Sequence, residues 1–152
     1  MFELMVAAKM FLTAPQSIVG TDRAKIQTQF GRPESVGTDY RTLAAPAEAR
    51  DSVITLDWPQ LRIRLYVASD RKTISLLGVT TTSDALGIAS PVHIGVDRGT
   101  VLRELGGPAY EDEQQIIYSL QEEDPDLPNQ TVRLVFKDDR VAGIDWTYPV
   151  DR

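Results

Sequence analysis

The only imidazole of the chain is His93, in the run Pro91-Val92-His93-Ile94-Gly95. Imidazole is the side chain best suited to general-base work or metal ligation near neutral pH. Its counterpart in the internal repeat described below is Ile18, and a place that accepts isoleucine reads as a packing or edge position rather than a catalytic one. Carboxylates cluster at Glu111-Asp112-Glu113 and at Glu122-Glu123-Asp124-Pro125-Asp126. The second cluster offers the oxygen ligands that calcium takes, but it lacks the glycine and the closing glutamate of an EF-hand loop. Pro125 and Pro128 mark it instead as a solvated connection. The chain has no cysteine, hence no thiolate nucleophile, thiolate metal site or disulfide framework. It contains no Gly-x-Ser-x-Gly elbow, zinc-protease helix, P-loop string or dinucleotide fingerprint. No metal, cofactor or catalytic group is therefore expected, although a carboxylate-pair hydrolase stays open because such pairs meet in space rather than in sequence.

Composition narrows the function classes further. The 152 residues are 42% hydrophobic and 25% charged, the values of an ordinary globular chain. Sixteen Lys and Arg against 22 Asp and Glu leave a net charge of −6, the opposite of the basic footprint of a nucleic-acid binder. The apolar run Leu4–Ala8 is bracketed by Glu3 and Lys9 and is far short of the roughly 20 residues needed to span a bilayer. No transmembrane segment is expected, and membrane association would need a lipid anchor preceding Met1.

The elements that must position any site repeat themselves. Gly20, Asp22, Arg23, Gly31 and Pro33 recur as Gly95, Asp97, Arg98, Gly106 and Pro108, at the constant offset of 75 residues seen between Gly20 and Gly95. Arg64-Leu65 and Asp70-Arg71 recur as Arg133-Leu134 and Asp139-Arg140, now 69 residues on. The six extra residues of the first copy fall in Thr42–Arg50, an Ala/Pro/Glu stretch that reads as loop. In each copy Asp22 or Asp97 stands where an N-cap belongs, and Gly31 or Gly106 where a left-handed C′ residue belongs. A short amphipathic helix is predicted between them. The duplicated Asp-Arg pairs thus read as caps followed by solvated first-turn arginines, not as duplicated catalytic pairs.

Strands follow in each copy: Val53–Trp58, Leu61–Val67 and Thr73–Val79, then Gln115–Leu120, Thr131–Lys137 and Val141–Tyr148. Leu61, Ile63, Leu65 and Val67 alternate with Arg62, Arg64 and Tyr66, the period of a half-buried strand. Ser69-Asp70-Arg71 and Asp138-Asp139-Arg140 read as hairpin turns. The apolar Phe2–Leu12 reads as a further strand, matched to the Leu76–Thr82 region. The expected fold class is α+β, with two tandem repeats, each a short helical segment packed on an antiparallel sheet. The first repeat covers residues 1–82 and the second 83–152, folding as one body.

A sheet covered by helices on one side leaves its other face available. Arg62, Arg64, Tyr66, Arg133 and Lys137 fall on that face. Arg and Tyr are the residue types that anchor protein interfaces. These five are the candidate protein-binding residues, on a face expected to be continuous and mildly basic. An acidic or aromatic-rich protein partner would suit it.

Ile94-Gly95-Val96-Asp97-Arg98, followed by Val101-Leu102-Arg103-Glu104-Leu105-Gly106-Gly107-Pro108, resembles the signature of the SmpA/OmlA family of small bacterial outer-membrane assembly lipoproteins. Val141-Ala142-Gly143-Ile144-Asp145-Trp146-Thr147-Tyr148 is similar to that family's closing strand, and Val19–Arg23 with Phe30–Pro33 is a second, weaker match. The tandem arrangement also resembles that of the β-lactamase inhibitor proteins, which grip their target on a concave sheet face. The absence of cysteine departs from both, since the first carries an acylated N-terminal cysteine and the second a disulfide in each unit. The resemblance implies a non-catalytic protein-binding module of the bacterial envelope, periplasmic or attached to the outer membrane. A cytoplasmic location stays open, and the alternative function is an enzyme inhibitor or immunity-like protein.

Overall fold

The computed structural model describes residues 5–40, 51–69, 73–121 and 129–149. The fold begins with a helix where a strand was expected. Ala8, Phe11, Leu12, Pro15 and Val19 recur at the helical period, and they are the buried residues of α1 (Val6–Val19). A short apolar run is ambiguous between strand and helix, and only this longer spacing separates them. Pro15 lies inside α1 and has no N–H to offer the Phe11 carbonyl one turn earlier. That carbonyl is instead satisfied from the sheet, by the Trp146 indole Nε1–H at 3.1 Å.

The two expected short helices form at the expected places. α2 (Arg23–Phe30) is capped by Asp22, whose Oδ1 accepts the Ala24 and Lys25 N–H groups at 2.9 and 3.3 Å. α3 (Arg98–Leu105) follows Asp97, but this carboxylate takes the Thr100 hydroxyl rather than a backbone N–H. Both helices stop on a glycine at φ 84°, Gly31 and Gly106, a conformation that a side chain would strain.

Among the described residues, eight strands make one antiparallel sheet in the order β1-β2-β3-β4-β8-β7-β6-β5. They are β1 (Ser35–Tyr40), β2 (Ser52–Trp58), β3 (Leu61–Val67), β4 (Ile74–Thr81), β5 (Tyr110–Glu111), β6 (Gln115–Leu120), β7 (Gln130–Lys137) and β8 (Arg140–Thr147). The six predicted strands are present to within a residue or two, while β1 and β5 carry no apolar alternation and were not expected. Thr42–Arg50, Asp70-Arg71 and Glu122–Asp126 lie outside the described residues.

This architecture overturns the expectation of two tandem helix-on-sheet repeats, though it remains α+β in the broad sense. The sheet is continuous, because β4 pairs with β8 from Gly78↔Thr147 to Thr81↔Ile144. The helices are not shared out one set per half. α1 comes from the N-terminal half yet packs against α3, β6 and β7. It is also tied to the C-terminal segment by the Trp146 bond and by the Tyr148 hydroxyl, which donates to the Leu12 carbonyl at 2.7 Å. Nothing in residues 83–97 repeats α1. The apolar interior is correspondingly one cluster running from Leu56 and Ile63 through Val79 and Trp146 to Leu134 and Tyr118. Among the described residues no helix is long and apolar enough to cross a membrane.

Arg98 shows where equivalence between the copies fails. Expected as a solvated first-turn residue, its side chain is 18% exposed. It reaches Asp139 at 3.1 Å, Glu111 at 3.0 Å and the Glu113 carbonyl at 2.7 Å, with its guanidinium 4.4 Å from the centre of the Phe136 ring. It thereby fastens α3 to the β5–β6 turn and the β7–β8 turn together. Arg98→Ala is expected to cost about 2 kcal/mol, and Arg98→Lys to recover less than half of it, because an ammonium cannot fork between two carboxylates and stack on a ring. Chemical denaturation of the three proteins measures this directly.

Candidate interaction face of the sheet

The helices cover one face of the sheet, and register fixes which residues look out from the other. Two cross-strand rows run across the centre of this open face. The first reads Gly37, Thr55, Arg64, Gly78, Thr147, Thr131 and Ser119, from β1 to β6 in spatial order. Apart from Arg64 every member is small, so the row is a shallow trough. The second reads Asp57, Arg62, Thr80, Asp145, Arg133 and Ile117.

The second row is a ladder of alternating charge, the cross-strand arrangement that favours opposite charges as neighbours. Arg62 Nε donates to Asp57 Oδ1 at 2.6 Å. That hydrogen bond and the Asp57 charge hold the Arg62 guanidinium further above its already high ordinary range. Asp145 Oδ1 accepts the Thr80 hydroxyl at 2.8 Å, while its Oδ2 lies 3.6 Å from Arg133 Nη2. Arg62 and Arg133 are each about half exposed, so these pairs contribute little to stability. Their consequence is electrostatic. Two of the expected basic residues are neutralised by carboxylates that the alternation of the strands had not singled out, and the face is not the basic surface expected.

Arg64 differs. Its guanidinium lies against Gly78, where a Cβ would stand 3.0 Å from Nη2, and it makes no hydrogen bond or ion pair with the described residues. A glycine at that point of β4 is what allows a planar cation to lie down on the sheet. Tyr66 is 4% exposed, and its hydroxyl donates to Asp51, which also receives the Ser69 N–H at 2.8 Å. It is therefore buried in place rather than presented. Lys137 is exposed at the far end of β7, four residues from Arg133, or roughly 13 Å along the strand. Sheet geometry thus brings Arg62, Arg64 and Arg133 onto one surface, with Arg62 and Arg133 in one row three strand spacings (roughly 14 Å) apart. Tyr66 and Lys137 are left outside that group.

The other sequence candidates lie elsewhere. His93 is exposed on the loop before α3, on the helix side of the sheet. Asp112 closes the β5–β6 turn by accepting the Gln114 and Gln115 N–H groups at 2.8 and 3.0 Å. The Gln114 bond chiefly, with the Tyr110 hydroxyl, holds its carboxyl below the usual range. No grouping of three or more His, Cys, Asp or Glu able to hold a metal ion occurs among the described residues. Comparison with protein-family models, with curated proteins and with solved structures finds no match.

Proposed function

We propose that the chain is a non-catalytic protein-binding module that receives an acidic loop of its partner on the open sheet face, in the trough that crosses Arg64. The observation that carries this reading is Arg64 itself: a guanidinium laid over Gly78, without a counter-charge among the described residues, in a row of otherwise small side chains. A planar fork with free donors suits a carboxylate, which it can bind through two parallel hydrogen bonds. The small residues on either side let a partner backbone approach closely. The charge ladder beside the trough fixes register rather than affinity, since each of its arginines already has a carboxylate. The SmpA/OmlA-like run Ile94–Pro108 supports placing this module in the bacterial envelope, periplasmic or at the outer membrane.

Arg64→Glu should abolish capture of a stoichiometric partner from envelope extract. Arg133→Glu should weaken it only a few-fold, because the lost charge already had Asp145 as its neighbour. Circular dichroism should show both variants folded. Undiminished capture by Arg64→Glu would sink the proposal.

A further inference from the structure

Among the described residues the sheet has one guarded edge and one open edge. Along a free edge every second residue points its backbone N–H and C=O outward without a strand partner, and natural sheets blunt such edges with lysine, proline, a bulge or brevity. One edge is β5, which is only two residues long. The other is β1, and none of these devices protects it. β1 runs for six residues, contains no lysine or proline, and keeps unbroken register with β2 from Ser35↔Asp57 to Tyr40↔Ser52. All six of its residues are exposed.

The side chains of β1 say what kind of strand fits this edge. Val36, Thr38 and Tyr40 stand opposite Leu56, Ile54 and Ser52, on the helix-covered side of the sheet. Leu56 is fully buried, yet Val36 and Tyr40 are 48% and 54% exposed, so the apolar side of the sheet runs out past the helices to a bare edge. A strand laid antiparallel on this edge would bond to the outward main-chain groups and cover both residues. β1 itself has the matching pattern. About a two-fold axis perpendicular to the sheet through Thr38, Thr38 meets its own copy, Val36 meets the copy's Tyr40, and Gly37 meets the copy's Asp39. A β-branched residue opposite an aromatic one is a favoured cross-strand pair, and Asp39, the only charged residue of β1, is set against glycine rather than against itself. Both helix layers stay on the same side. We propose that two copies of the chain pair through β1 in this register and join their sheets into one. The contact uses the same patch on both copies, so it closes at two and leaves only the short β5 edges outside. This goes beyond the reading of the open face and holds whether or not Arg64 binds a partner. The paired stretch Val36–Tyr40 is short, far from the roughly 1,200 Å2 that stable complexes bury, so the dimer should be weak, with a Kd of about 10–100 µM.

Sedimentation equilibrium from about 10 µM to about 1 mM tests the dimer and its register together. Thr38→Lys and Thr38→Glu each place like charges on the axis and should weaken dimerisation at least about tenfold, whereas an equimolar mixture of the two should regain it. The chain has no cysteine, so a single introduced thiol reports its own position. In a glutathione redox buffer Thr38→Cys should form a disulfide-linked dimer, while Asp39→Cys, whose Cα would lie about 8 Å from that of its copy, should not. Thermal melts of dilute protein should show every variant folded, since both positions are exposed. A parent protein still monomeric at about 1 mM would overturn the proposal and leave the edge to a strand of another protein. So would undiminished dimerisation of Thr38→Lys, failure of the mixture to associate better than its components, or Asp39→Cys protein that links as readily as Thr38→Cys.

Discussion

Trp146→Ala is expected to lower the unfolding free energy by about 3–5 kcal/mol, enough to move the melting midpoint down by about 10 °C in a chain of this size. Trp146 is 1% exposed and sits at the seam where β8 joins β4, opposite Val79. Its ring centre lies 5.5 Å from that of Phe11, and its indole N–H supplies the donor that Pro15 withholds from the Phe11 carbonyl. The substitution therefore opens a large cavity and leaves a buried acceptor without a partner at the same time. The two costs can be separated. Trp146→Phe keeps most of the apolar volume and loses the donor, so it should cost about 1–3 kcal/mol for the orphaned carbonyl beyond the small change in packing.

Pro15→Ala returns a backbone N–H one turn below that carbonyl and so offers it an ordinary helical partner. In a double-mutant cycle, Trp146→Phe should consequently cost about 1 kcal/mol less in the Pro15→Ala background than in the parent, whatever Pro15→Ala does alone. Denaturant titration of the four proteins reads the coupling. Simple additivity would mean that the indole N–H is not what satisfies Phe11, and that the cost of Trp146→Ala is packing alone.

The same contact explains why the fold was only partly legible in the sequence. Locally determined features could be read: Asp22 caps α2, Gly31 and Gly106 end their helices at positive φ, and Leu61 to Val67 alternates as β3 does. Each depends on residues a few positions apart. The pairing of β4 with β8 joins residues as far apart in the chain as Val79 and Trp146, and the docking of α1 depends on contacts as distant as the 135 positions between Phe11 and Trp146. Matching glycines and aspartates invited a division into two units, but they mark helix ends, which recur wherever short helices do. The open face of the sheet follows the same rule. Alternation alone puts Arg62, Arg64 and Arg133 on one side of their strands, whereas Asp57 beside Arg62 and Asp145 beside Arg133 follow only from strand register. The burial of Tyr66 is not legible in the alternation because its partner Asp51 lies before the strand with which Tyr66 pairs.

Gly78→Ala is expected to destabilise the protein by about 2 kcal/mol and, on the proposed function, to disable the sheet face together with it. Replacing a strand glycine by alanine ordinarily helps by about 0.4–1 kcal/mol through the unfolded chain, so the sign of the change is itself informative. A Cβ at this position would stand 2.9 Å from the Trp146 carbonyl oxygen and 3.0 Å from Arg64 Nη2. The first neighbour is backbone of β8 and can yield only by loosening the seam with β4. The second is the tip of a flexible side chain and yields readily, but in doing so it leaves the flat pose in the trough. Arg64→Ala removes the second collision and leaves the first. The double variant should therefore regain only a few tenths of a kcal/mol over Gly78→Ala, while partner capture should be lost in Gly78→Ala, Arg64→Ala and the double variant alike. A stable Gly78→Ala protein would show that the seam can open without cost. A destabilised one that still captured its partner would separate the glycine's part in the fold from the pose of Arg64, and binding would then have to run through a different part of the face.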